Sequence, residues 1–331
     1  MWKSLYSLLK KDCRMMVSGK FFPMSLGFLV LYTLYVNFGY IKFMDASLYN
    51  VYLYDPAGTQ TTVSTLVQRI SSKEALDAVL LDDTNGVGID ASAGEPQLVF
   101  YEGTEKADRH RADYALSLLQ PSGHYSAQVI GSNTPEQKAR KEITCELLFF
   151  EIAAVGFLGI AAVLFKEKGM GVIRVHAILP LQKNLFILSK LAVFLLSDLV
   201  FAVLLTVLNV GVSDTASILP AVLLQTALLS LIMALTGLIC ALLLKDFRQF
   251  TLAYLLIAIF VATPVFLAAN TAVKLDWIYF HPFYHIYMGL KNAYFGTSSN
   301  SLAYYLGCLA AIAVLFAGVQ RVFRREMGKE G

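Results

Sequence analysis

Apolar runs long enough to cross about 30 Å of hydrocarbon recur six times along the chain, at Phe21–Ile41, Cys145–Phe165, Leu185–Val212, Ile218–Leu244, Phe250–Val273 and Leu302–Val322. Asn37 and Gly39 dilute the outer end of the first. Between the first and second runs the pattern changes. LYNVYLYD alternates as a strand does, and TTVSTLVQRISSKEALDAVLL reads as one or two helices. GVGID and PQLVFY read as strands, KADRHRADYALSLLQ as a helix and HYSAQVIG as a last strand. The pattern predicts an α-helical integral membrane protein of about six spans, with a small α/β domain inserted between the first two. The expected divisions are 1–20 as a cytoplasmic amphipathic helix, 21–41 as the first span, 42–142 as an extracellular α/β domain and 143–331 as a five-helix membrane region.

Two helix boundaries carry further signals. In NTPEQKAR, Thr134 is placed to cap, Pro135 suits the first helical position and Gln137 completes a capping box. Nothing from Pro135 to Phe165 breaks a helix, so about thirty residues at 1.5 Å each predict a rod of about 45 Å running without a joint to the cytoplasmic side. At the amino terminus, Trp2, Leu5, Leu9, Cys13 and Met16 share one helical face, with Lys3, Lys10, Lys11 and Arg14 off it. That is the pattern of an amphipathic helix in the inner interface. No A-x-A site follows the first apolar run, so this end does not read as a cleaved signal.

Composition agrees with the periodicity: 56% hydrophobic, 15% charged and a mean hydropathy of +0.59 mark an integral membrane chain. The net charge of +3 is too small to argue for nucleic acid. Its distribution sets orientation. Lys3, Lys10, Lys11, Arg14 and Lys20 precede the first span; Lys166, Lys168, Arg174 and Lys183 separate the second from the third. Lys245 and Arg248 separate the fourth from the fifth, and Arg321, Arg324, Arg325 and Lys329 follow the sixth. All four clusters fall on one side of a six-span chain, which the positive-inside rule makes cytoplasmic, with both termini. The 42–142 stretch has the opposite balance, with 14 acidic residues against 9 basic, and is placed outside. Four cysteines, Cys13, Cys145, Cys240 and Cys308, avoid that stretch and show no CxxC spacing, which argues against a disulfide framework.

One inner piece, FKEKGMGVIRVHAILPLQKNLFILSK from Phe165 to Lys190, is more than a basic loop. Gly169 and Gly171 weaken a helix start, Ile173 and Ala177 share a face, and Pro180 ends it. This describes a short helix on the cytoplasmic surface between two spans, within 166–183. The order Lys166-Glu167-Lys168, glycine, an apolar patch, Ile178-Leu179-Pro180 and then Lys190 resembles the coupling segment of type 2 ABC transporter permeases. HPFYHIYMGLKNAYFGT, within an outer hairpin element at 277–297, resembles that family's element before the last span. Pro282, Leu290, Ala293 and Gly296 match, while Lys291 stands at the usual arginine position.

The resemblance implies the permease subunit of an ATP-driven exporter in the plasma membrane of a bacterium, moving a small or amphipathic substrate outward by alternating access. It implies a second permease, either another copy or a related chain, and a cytoplasmic ABC ATPase dimer. Glu167, Lys168, Gly169, Met170, Ile173, Arg174 and Pro180 would then engage a cleft of that ATPase, and the element holding Pro282 and Tyr284 would gate the external exit. The chain has no GxxxxGK[ST] phosphate loop, so ATP and Mg are expected on the separate ATPase, with no cofactor bound here directly. HExxH, GxSxG and GxGD are also missing, so the chain is expected to be non-catalytic. For the outer domain, three roles stand open: binding cargo, docking an extracellular accessory protein or shielding the exit. The alternative class is a membrane receptor whose outer domain senses a ligand; it would need a cytoplasmic output domain, and only about a dozen residues follow the last span.

Ionisable groups in hydrocarbon are costly and mark candidate sites. Glu151 in the second span and Asp198 in the third have two readings: lining a pathway for cationic or amphipathic cargo, or bonding to hydroxyl and backbone groups of packed neighbours. His281 and His285 are four residues apart, yet two ligands make no metal site, and Pro282 favours His281 as a cap. Surrounding lipid completes the expected partners, with aromatic residues such as Trp277, Tyr279 and Phe280 at the outer interface.

Overall fold

The computed structural model describes the chain except residues 1, 42–48, 59–66, 94–95, 103–104, 120–125, 133–134, 173–174, 176–182, 271–275, 297–299 and 331. It divides into two compact units, one formed by Met1–Asn37 with Lys141–Gly331 and the other by Phe38–Arg140.

The Phe38–Arg140 unit is built on a five-stranded sheet of β1 (Val51–Tyr54), β2 (Val67–Ile70), β3 (Val87–Asp90), β4 (Gln97–Glu102) and β5 (Ser126–Ser132), in the order β2-β1-β3-β4-β5. Only the β3–β4 pair is antiparallel. Both sheet faces are buried, because alternate residues point to opposite sides. Val51, Leu53, Ile89 and Phe100 pack with Ala112 and Ala115 of the helix Glu105–Ser117, while Tyr52 and Val99 pack with Leu76 and Leu80 of the helix Lys73–Asp82. The stretch expected to be wholly helical is corrected here: Val67–Ile70 is a strand, parallel to β1 with Val51 opposite Val67. Ser72 marks the change, its Oγ accepting the Ala75 N–H at 3.1 Å, so the helix starts only at Lys73. At the end of β3, burial pushes the Asp90 carboxyl up, but hydrogen bonds from Ser92 and from Lys73, at 2.9 Å, outweigh it and hold the group below its ordinary value.

In the membrane unit, α1 (Trp2–Ser18) precedes α2 (Phe21–Leu34), which continues as a π-helical turn over Tyr35–Tyr40. Helices α3 (Pro135–Glu151) and α4 (Phe157–Gly169) are joined by a second π-helical turn, Ile152–Gly156. The helix runs from Pro135 to Gly169 without a break, as expected, with one widened turn that shifts the side-chain register part-way. No proline signals it; Gly156, where a Cβ would meet Asp198 Oδ2 at 3.4 Å, lets the neighbouring helix approach there.

There follow α5 (Lys183–Val210), α6 (Val212–Leu243), α7 (Phe247–Asn270), α8 (Pro282–Phe295) and α9 (Leu302–Glu330). Among the described residues, five helices are long and apolar enough to cross a membrane: Phe21–Tyr40, Glu136–Gly169, Asn184–Val210, Thr215–Leu243 and Leu302–Met327. Helix α7 covers the sixth expected run, with a shorter apolar stretch at Phe247–Thr263. Helix α6 is central, 67% of its apolar window being buried against 17% for α2 and 11% for α9. Close approach around α4 uses small residues. A Cβ on Gly159 would lie 2.2 Å from the Phe21 ring, and one on Gly237 would lie 2.8 Å from Ile160.

Candidate functional site

The end of α4 gathers the densest group of buried charges among the described residues. Glu167 is fully buried, with the Lys11 Nζ 2.6 Å from its Oε1 and the Lys190 Nζ 2.6 Å from its Oε2. Lys190, 1% exposed, also reaches Asp12 at 3.2 Å, and Ser189 Oγ donates to the other Asp12 oxygen at 2.5 Å. Two lysines and two carboxylates cancel in charge, and each has a partner, as a buried ion cluster requires. The cluster joins α1 to two elements distant from it in sequence, the end of α4 and the start of α5. The Phe186 ring lies under Lys190 at 4.5 Å and stacks on Phe323 of α9 at 5.1 Å.

Lys168, one residue on, points elsewhere. Its ammonium donates to the carbonyls of Ala241, Leu242 and Leu244 at 2.8, 3.1 and 3.2 Å. These are orphan acceptors at the C-terminal end of α6, where a cation is favoured. Adjacent residues of one turn thus bind α4 to α1, α5 and α6. Beyond them Gly169 closes the helix, Met170 is its cap with 55% exposure, and Gly171 takes a left-handed φ of +69°. Ile173, Arg174 and Pro180 lie outside the described residues. Glu167, expected to face an ATPase, has no exposed surface to offer one; Met170 does.

Lys11 as a partner of Glu167, and Asp12 with Ser189 as the other half of the cluster, escaped the sequence reading. A usable signal exists: Asp12 is the single acidic residue before the first span, and Glu167 the single one between Phe165 and Lys190. A lone carboxylate in a basic flank is a candidate partner for a buried lysine.

Within the spans, Glu151 is 4% exposed and ends α3 just before the π-helical turn. Tyr32 donates to its Oε2 at 3.1 Å, while Oε1 has no hydrogen-bond partner among the described residues. Asp198, 9% exposed, accepts from Ser230 Oγ at 2.6 Å. Both carboxylates are thus held by hydroxyls of neighbouring helices. Asn37 donates to Asn209 at 3.3 Å, and the Thr206 and Tyr294 hydroxyls share a bond of 2.8 Å.

The element before the last helix has Pro282 at the first position of α8, after His281 in extended conformation. Gly296 ends the helix with φ 63°, its N–H bonded to the Asn292 carbonyl at 2.9 Å. The His281 side chain makes no capping bond and lies against the Phe260 ring at 4.3 Å; His285 bonds the Tyr279 carbonyl at 2.8 Å. Tyr284 meets Tyr279 edge to face at 5.5 Å. Lys291 forms an ion pair with Glu142 of α3. The long helix is therefore tied by charge near both ends, at Glu142 and Glu167, with about 37 Å of helix between them. Among the described residues, no group of three or more His, Cys, Asp or Glu is placed to hold a metal ion.

Compared with curated proteins, the chain finds no significant match. A family model described as ABC-2 family transporter protein matches residues 116–319, from the helix before β5 through most of α9, including the charge cluster's Glu167 and Lys190 and the whole of α8. That match covers more than half of the 331 residues, and the multi-pass membrane chain belongs to the ABC-2 family, the membrane-spanning component of an ABC transporter.

Proposed function

We propose that this chain is the permease half of an ATP-driven exporter, receiving movement from a separate cytoplasmic ATPase dimer at the turn that follows α4. The observation that carries the reading is the burial of Glu167 between Lys11 and Lys190, immediately before the exposed Met170. A push on Met170 and the residues after it reaches Glu167 within one turn. From there the ion cluster passes it to α1 and α5, and Lys168 passes it to α6. Glu167 and Lys168 act in this reading as joints, with Met170 and the segment through Pro180 as the contact surface. ATP and Mg stay on the ATPase.

The remaining parts follow from the same orientation. Both termini and the 166–183 segment are cytoplasmic, the six apolar runs cross the membrane, and the 42–142 domain is external. A second permease, a copy or a relative, covers part of the exposed apolar flank of α2 and α9. The ion pair of Lys291 with Glu142 ties the α8 element, with Pro282 and Tyr284 at its start, to the same helix that receives the push. Glu151 and Asp198 lie between those ends and favour cationic or amphipathic cargo.

The test is copurification with the cognate ATPase, followed by ATP hydrolysis in lipid. The wild-type complex should hydrolyse at a rate set by the permease. Glu167→Met combined with Lys190→Met, which leaves no uncompensated buried charge, should leave the complex assembled and change that rate several-fold. An assembled complex whose hydrolysis ignores that double substitution and substitutions at Met170 overturns the assignment.

A further inference from the structure

Helix α1 shows three different faces. Leu8, Asp12 and Met16 are buried against the bundle, at intervals of four residues. Tyr6, Cys13 and Val17 are exposed and apolar, while Ser7, Lys10, Arg14 and Ser18 are exposed and polar. At 100° per residue the two exposed groups form adjacent stripes. Each stripe borders a hollow. The polar one opens on a pocket of about 450 Å3 lined by Ser7, Lys10, Lys11, Arg14, Met15 and Ser18. The apolar one reaches a groove of about 370 Å3 between α2 and α5, with Cys13 at its α1 end and Phe22, Leu26, Leu196 and Val200 among its walls. Cys13 lies three residues from Lys10 and next to Arg14, so the basic pocket and the apolar groove meet on one helical turn.

We propose that this combined site binds one anionic phospholipid, its phosphate among Lys10, Arg14 and the serine hydroxyls and an acyl chain in the groove. Charge complementarity selects the occupant. Lys10 and Arg14 bring two cations to a pocket with no carboxylate among its lining residues, Lys11 beside them being paired with Glu167, and the adjoining groove is almost wholly apolar. A soluble anion would use only the pocket; a neighbouring protein helix would use only the groove; an anionic lipid uses both. The phosphate would sit beside Lys11, whose ammonium also holds Glu167, so the lipid would occupy the same joint from its outer side.

The purified full chain tests this by native mass spectrometry, titrated with dioleoyl phosphatidylglycerol or dioleoyl phosphatidylcholine. Phosphatidylglycerol should be retained at least about fivefold more strongly, since each nearby lysine or arginine contributes about that factor. Lys10→Gln and Arg14→Gln should each weaken its retention about fivefold, while Lys10→Arg should preserve it as a control for folding. Filling the groove with Leu196→Trp and Val200→Trp should reduce retention of both lipids. Glycerol phosphate at equal concentration should fail to displace the lipid. Equal retention of the two lipids, or full retention by the glutamine variants, overturns the proposal. So does displacement by glycerol phosphate, which identifies a simple anion pocket. Tryptophan variants that keep the lipid but lose self-association overturn it too, since a second copy would then be the groove's occupant.

Discussion

Glu167 and Lys190 are each almost sealed from water and 2.6 Å apart, so neither tolerates losing the other. Removing one partner of a buried pair leaves an uncompensated charge, at a cost of about 3–5 kcal/mol, whereas removing both together can be nearly neutral. The geometry makes that difference specific here, because Lys11 and Asp12 remain 3.7 Å apart when the other two are gone. Glu167→Ala should therefore lower the unfolding temperature of the purified chain in detergent sharply. Glu167→Met combined with Lys190→Met should recover most of the loss. A double variant as unstable as Glu167→Ala would show that the two side chains contribute through packing instead of charge.

The helix that carries Glu167 is held along its length by contacts of different kinds. The ion pair of Glu142 with Lys291, the Tyr32 bond to Glu151, the approach of Gly156 to Asp198 and the Glu167 cluster follow in order. At Gly159, the Phe21 and Phe194 rings occupy the space that any side chain would need. Gly159→Val should destabilise the bundle by about 1–3 kcal/mol, read as a lower unfolding temperature, because neither ring can retreat without displacing α2 or α5. A variant with wild-type stability would mean that α2 and α5 do not close on α4 as described. This helix also shows what was legible in the sequence. Its start at Pro135 and its run past Phe165 could be read from the proline and the lack of breakers, since both are local signals; Thr134, the expected cap, lies outside the described residues. The π-helical turn could not, because it has no composition of its own. The strand at Val67–Ile70 was hidden in the same way: a four-residue strand reveals itself only by pairing with β1. For the candidate site, the position of Glu167 was marked by its neighbours in sequence, while its partner Lys11 and Lys190's partner Asp12 each lie more than 150 residues away and are brought in by α1 alone.

Membership of the ABC-2 family makes this the membrane-spanning component of an ABC transporter, and the proposed input from an ATPase is the turn after α4. The exposed apolar flanks of α2 and α9 suit lipid, and in the proposed reading a partner permease covers part of them while Met170 meets the ATPase. Because no cargo needs to be known, contact at that input is the most direct thing to measure. Met170→Cys, in a chain whose own cysteines are replaced, can be treated with a short bifunctional crosslinker in the assembled transporter. A crosslink to the ATPase is expected, with a yield that changes between the nucleotide-free and ATP-bound states. A Met170→Cys thiol that reacts freely with a soluble maleimide in both states, and never joins the ATPase, would contradict that expectation.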